Sequence, residues 1–247
     1  MAPPPVERTA AGRILVALDD AEAAVGALST AAFLASRLQA ELHGLYVEDI
    51  DLLRLAGLPF ARTVGHASAR SQPLDFAAVE RAFRQQAERM RALMEEMAER
   101  ERLAWSFQVE RGRLLDAMMA VAGSADLLVF CRGAAGRGQS GPILVLLRRV
   151  EEIAPLLGVA AGLAREEGAE LLLAVASPLR EKARQWVRQE AVSARFVPVE
   201  ESSGMVLAVR ERARLLVIGA EDGLSGTDSR LRGEVGCPVV VVRSTAS

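Results

Sequence analysis

Histidine, cysteine and aromatic residues are scarce in this chain, and each scarcity closes off a class of function. Its 247 residues include two histidines, two cysteines and only 4% aromatics. His43 and His66 stand without partners at metal-ligand spacing, so no metal site is expected, and His43, which alternates with core positions on a strand, is read as structural. Cys131 and Cys237 form no CxxC pair; two reduced, buried thiols fit them, with a disulfide or redox role as the alternative. So few rings argue against single-strand nucleic-acid binding by stacking. A net charge of −2 supplies no positive excess to hold a phosphate backbone, so no nucleic acid partner is expected. Runs of 18 or more apolar residues are missing, so no membrane partner is expected either. The opening MAPPPVERTAAG lacks the apolar core of a secretory signal, which predicts a cytoplasmic protein. Residues 1–11 are expected to be a flexible tail kept extended by Pro3, Pro4 and Pro5.

Aliphatic residues, by contrast, are abundant. Hydrophobic residues make up 51% of the chain, enough to exclude global disorder. The chain also repeats itself. Residues 12–47 align with 141–176 without a gap, at an offset of 129, and 14 of the 36 aligned pairs are identical. Such a repeat sets the architecture before any local reading does. Each copy reads strand, helix, strand, so two α/β units of one kind are predicted. Mismatches inside the repeat then become informative, and the sharpest is Asp19, at the end of the first strand, against Arg148.

The run 13–18 is branched and apolar without polar alternation, as in a strand buried on both faces of a parallel sheet. Helical spacing covers 21–38, and 41–47 is a second strand. The connection 48–73 is long. Its Leu52, Leu53, Leu55, Leu58 and Phe60 predict a partly ordered, lid-like cover with one short helix. A long helix spans about 74–103, with Phe76, Val79, Phe83, Met90, Met94 and Met97 on a core-facing seam and a charged lattice opposite. Strands at 105–111 and 126–131 enclose a short helix at 114–122. The glycine-dense stretch 132–141 is a turn or linker. The second unit reads as strands at 143–147, 170–176, 195–199, 214–218 and 238–242, with helices at about 151–168, 180–191, 205–213 and 228–234. The first unit lacks a fifth strand of its own, because the one apolar run between the halves begins the second. The predicted fold class is α/β, two tandem doubly wound parallel-sheet units over 12–137 and 138–247.

Doubly wound sheets bind ligands outside the carboxyl ends of their strands, where the strand order reverses. That rule singles out 19–21 and 132–138 in one unit and 148–150 and 219–226 in the other. Asp19 and Asp20 can accept hydrogen bonds from a base amino group or a ribose hydroxyl, or can cap the following helix. Gly133 and Gly136 expose backbone N–H groups that a phosphate can use, with Arg132 and Arg137 beside them. No helix follows before Pro142, however, and a flexible linker is the other reading. In the second unit Gly219, Gly223 and Gly226 precede a short helix, but Glu221, Asp222 and Asp228 crowd the loop and repel phosphate. Arg148 and Arg149 offset them from across the crevice. No GxSxG, P-loop lysine or Ser-His-Asp pattern occurs, so no catalytic residue is singled out.

RILVALDD, HGLYVED, RGRLLDAMMAVAGSADLLVF and RLLVIGAEDGLS followed by GCPVVVV together resemble the universal stress protein family in its tandem form, over nearly all of residues 12–243. The resemblance implies a Rossmann-like, adenine nucleotide alpha hydrolase-like fold, with units packed as the two protomers of a family dimer would be. ATP-binding members use a first-strand Asp for adenine, a second-strand Val backbone, and a G-x2-G-x9-G-[ST] pattern for ribose and phosphates. Asp19 and Val47 match the first two, and Gly133 and Gly136 match G-x2-G. Ten residues after Gly136 stands Leu146, so the phosphate portion is missing. In the second unit Arg148 replaces the Asp. Gly223, Gly226 and Gly236 fit the glycine spacing there, but Cys237 stands where Ser or Thr belongs. The resemblance thus implies a cytoplasmic, non-catalytic scaffold or regulator in the stress response, with degenerate nucleotide sites, no cofactor or weakly held ATP, and partners of unknown identity. The alternative is an ATP- or AMP-binding stress sensor with slow or no hydrolysis, its adenosine held by Asp19, Val47, Gly133 and Gly136. An enzyme of a related nucleotide-hydrolase-like fold is a third reading, on fold analogy alone. The missing fifth strand would leave an open sheet edge, which predicts a homodimer.

Overall fold

The computed structural model describes residues 12–18, 21–64, 71–122, 125–131, 141–198, 208, 211–220 and 237–243. Strand β1 (Arg13–Leu18) leads through helix α1 (Ala21–Leu38) to β2 (Glu41–Asp49). A short helix α2 (Ile50–Ala56), a small hairpin of β3 (Arg62–Val64) and β4 (Ser71–Pro73), and the long helix α3 (Phe76–Glu101) follow. Then come β5 (Trp105–Gly112), α4 (Leu114–Val121) and β6 (Leu127–Phe130). The second half comprises β7 (Ile143–Leu147), α5 (Ile153–Glu167), β8 (Leu171–Val175), α6 (Arg180–Gln189), β9 (Ala194–Pro198), β10 (Leu215–Gly219) and β11 (Val239–Val242). Of the helix expected over 205–213, residue 208 is helical and the chain has left the helix by 211. The helix expected at 228–234 lies outside the described residues.

All strands except the β3–β4 hairpin join one nine-stranded sheet, in the order β5-β2-β1-β6-β11-β10-β7-β8-β9. Neighbours are parallel everywhere but at β6 and β11, which run antiparallel with Phe130 opposite Val239 and Leu127 opposite Val242. The first half therefore contributes four strands and the second five. β11 occupies the place the absent fifth strand would have taken, so the β6 edge is covered from within the chain. The open edge from which a homodimer was expected is not there. β6 and β10 are equivalents that flank β11 and run in opposite directions, so an approximate twofold axis passes through β11, normal to the sheet.

Strands buried on both faces must be apolar at every position, and the inner strands β6, β7, β8, β10 and β11 are. One face carries Ile14, Val16 and Leu18 with their equivalents Ile143, Val145 and Leu147, under α1, α3, α5 and α6. The other carries Leu15, Ala17, Leu144 and Leu146, and is covered in the first half by α4. Met90 and Met94 of α3 are buried, as the expected core seam requires, while Phe76 is exposed one turn before the first buried contact at Val79.

Duplication extends to helix ends. Gln39 and Gly168 are aligned residues, and both take left-handed φ values, 53° and 59°. Each helix then closes with the same bond, Ala40 N–H to the Ala35 carbonyl and Ala169 N–H to the Ala164 carbonyl, both 3.0 Å. Asp126 N–H bonds the Arg13 carbonyl as Arg214 N–H bonds the Pro142 carbonyl, again both 3.0 Å. Near the axis, the aligned residues Arg37 and Glu166 meet as an ion pair. The change from Arg to Glu in the second copy turns what would be a like-charge meeting into an attraction.

Candidate ligand crevices

In the first half the strand order reverses between β1 and β6, and in the second between β7 and β10. These are the two places where a ligand can enter outside the strand ends. Asp19, Asp20, Arg132, Gly133, Gly136 and Arg137 lie outside the described residues, as do Gly223, Gly226, Gly236 and His66. Val47 is described. The β1–β2 ladder ends at Leu18 opposite Tyr46, and β2 runs on through Asp49. Val47 is thus the first β2 residue beyond that ladder. Its side chain is buried on the α4 face with Leu114 and Met118, which leaves its backbone, not its side chain, to meet any ligand.

The rim beyond Val47 is a set of ion pairs. Buried Glu48 accepts from Arg111 at 2.9 Å, and Arg111 also reaches Glu80 of α3 at 3.4 Å. Asp49 caps α2 by accepting from Asp51 N–H at 2.8 Å. Asp51 accepts from Arg113 at 3.0 Å and from Arg54 at 3.4 Å. The hydrogen bond from Arg113, supported by Arg54, holds the Asp51 carboxyl below the usual carboxylate range. The same bonds raise the two guanidinium groups, Arg113 through Asp51 and Arg111 through Glu48. Both carboxylates are therefore committed to arginines at the β5–α4 corner. Their role is to fix α2 beside the crevice. Sequence reading missed this network, because in the sequence its members look like ordinary surface charge.

The second crevice is built differently. β7 ends at Leu147 and β10 at Gly219, with Arg148 and Arg149 exposed at the mouth. Glu152 stands at the N-cap of α5 but makes no side-chain bond to the helix. Its side chain turns inward and is 5% exposed. It lies on the Cα of Gly219, where an added Cβ would overlap Oε1 and come within 2.7 Å of Cδ. Nothing in the sequence marked Glu152, since an acidic residue at a helix start is ordinarily a solvated cap.

Among the described residues no group of three His, Cys, Asp or Glu is arranged to hold a metal, and no helix is long and apolar enough to cross a membrane. Both cysteines are buried free thiols. The sequence matches no protein-family profile and no curated protein. Solved structures do match. A universal stress protein from Archaeoglobus fulgidus DSM 4304 aligns over 94% of this chain and 96% of its own, at 10% identity and a TM-score of 0.55. The chain has the fold of a universal stress protein. A protein of that family from Burkholderia pseudomallei covers 77% of this chain and 98% of its own, at 18% identity and a TM-score of 0.30. The cytoplasmic domain of a prokaryotic cation chloride cotransporter covers 94% and 95%, at 13% identity and a TM-score of 0.41.

Proposed function

We propose that the chain is a cytoplasmic regulator of the universal-stress type, acting through protein contacts, without catalysis, and with degenerate nucleotide sites. Leu146 carries this reading. Ten residues after Gly136, where the resemblance calls for the glycine of a phosphate loop, stands a leucine inside β7 that is 3% exposed. Only six residues separate Gly136 from Ile143, the first residue of β7. That length cannot supply both a phosphate loop and the helix whose N-terminus would face the anion. Titration calorimetry with ATP is expected to give no binding in the micromolar range. A dissociation constant of micromolar or tighter would overturn the degenerate-site reading.

One observation favours a second reading, an adenine-nucleotide sensor. Val47 opens beyond the β1–β2 ladder just where β1 leads on to Asp19. An adenosine held there by Asp19, the Val47 backbone, Gly133 and Gly136 would raise the thermal midpoint on addition of ATP or AMP. Asp19→Ala would then abolish the shift, and an unchanged shift would remove this reading.

A further inference from the structure

The two crevices have exchanged bulk. In the repeat, Glu152 aligns with Ala23, and in the matching strands RLLVIG and DLLVFC, Gly219 aligns with Cys131. The paired Asp126 and Arg214 backbone bonds fix that second correspondence in three dimensions. The first half thus has a small residue on the helix and a larger one ending the strand. The second half has a long acid on the helix and no side chain on the strand. Charge has changed with it, since Asp19 and Asp20 are replaced by Arg148 and Arg149.

A glycine at the end of a strand beside an order reversal lets something approach the backbone closely. At Gly219 that something is the chain's own carboxylate. Helix capping does not account for that placement, since the side chain makes no bond to the start of α5. We infer that Glu152 is a built-in plug of the second crevice, its carboxylate seated where the acidic group of an external ligand would lie and closing that crevice to anions. This inference does not depend on whether the first crevice binds nucleotide.

The test measures pyrophosphate binding by calorimetry on the full chain, with Arg132→Ala and Arg137→Ala present throughout and this parent as the reference, so that anything the first crevice still holds is common to every variant. In that background Glu152→Ala should gain about one equivalent of bound pyrophosphate. Glu152→Gln, which keeps the bulk, should gain none, and adding Arg148→Ala and Arg149→Ala to Glu152→Ala should abolish the gain. A folded Glu152→Ala protein with no added equivalent would overturn the plug, as would binding to the second crevice with Glu152 intact. Gly219→Ala supplies a readout that needs no ligand. It should lower the thermal midpoint when Glu152 is present and much less when Glu152 is alanine. An equal effect in both backgrounds would show that the carboxylate is not seated on Gly219, and would equally overturn the inference.

Discussion

Gly44 shows how one missing side chain shapes this molecule. It lies in β2 under α3, and a Cβ there would overlap Met94 Sδ and stand 2.9 Å from Phe107 Cδ2. Gly44→Ala therefore overpacks the core and should cost about 1–3 kcal/mol; an unchanged urea midpoint would refute the close seating of α3. Two strands' polar residues meet at His43, whose Nδ1 is 2.8 Å from Ser106 Oγ, itself a donor to Glu41 at 2.9 Å. Burial, then the nearby Arg13 charge, lowers the His43 pKa from 6.5, against a smaller opposing effect of Glu41. The unfolded chain then takes up the proton first, so stability is full above about pH 6.5 and falls as pH drops from there toward the folded value. His43→Leu should flatten the difference between urea midpoints at pH 7.5 and 5.5, and an unaltered difference would count against it. Burial, with a smaller contribution from Cys131, pushes the Cys237 thiol up to about 12. Native protein should therefore resist a thiol reagent at pH 8 and react only on unfolding; rapid native labelling of Cys237 would contradict this. At this scale the sequence was legible where side chains are apolar, as with Met90 and Met94. It was opaque at Glu152, because direction, not residue type, separates a solvated cap from a buried acid.

Elements were easier to read than their surroundings. The runs 13–18 and 21–38 form β1 and α1 with those limits, because periodicity and branched residues act locally. The sequence of the connection 48–73 predicts a leucine-packed cover with one short helix. α2 is that helix, but it buries only Leu53 and Ala56, against Val79 of α3, and leaves Leu52, Leu55 and Leu58 exposed with Phe60 at 76%. Leucine content alone could not say which face turns inward. What holds α2 against the sheet end is polar, the Asp51–Arg113 pair and its neighbours. Exposed pairs of this kind contribute little to global stability, yet they can order a local segment. Asp51→Ala combined with Arg113→Ala should speed hydrogen exchange at the α2 amides while leaving the global urea midpoint in place. Unchanged α2 protection would show that Leu53 and Ala56 suffice to hold it.

Assembly of the two halves depends on one strand. The sequence predicts that the first unit lacks a fifth strand, and it reads 238–242 as the strand that closes the second. It could not say what else that strand lies beside, since the β6–β11 pairing joins residues more than a hundred positions apart and no local pattern encodes it. In the structure β11 serves both halves, parallel to β10 and antiparallel to β6. The residue after it ties the seam further, with Arg243 N–H bonding the Asp126 carbonyl at 3.0 Å and its guanidinium reaching the Ala122 and Ala125 carbonyls. Magnitudes decide which contact at the axis matters. The exposed Arg37–Glu166 pair is worth at most about 1 kcal/mol, so Arg37→Glu should barely move the midpoint. Val239, Val240 and Val241 are fully buried and Val242 nearly so. At about 1.5–3 kcal/mol for each, the four contribute roughly 6–12 kcal/mol, comparable with the 5–15 kcal/mol by which a whole domain is stable. A chain ending at Gly236 would also leave β6 and β10 as bare neighbouring edges, open to aggregation. It should therefore show no cooperative thermal transition and should aggregate at concentrations where the full chain stays dispersed. A truncated chain that melts cooperatively near the parent midpoint would mean that each half stands alone and that β11 is not the strand on which both depend.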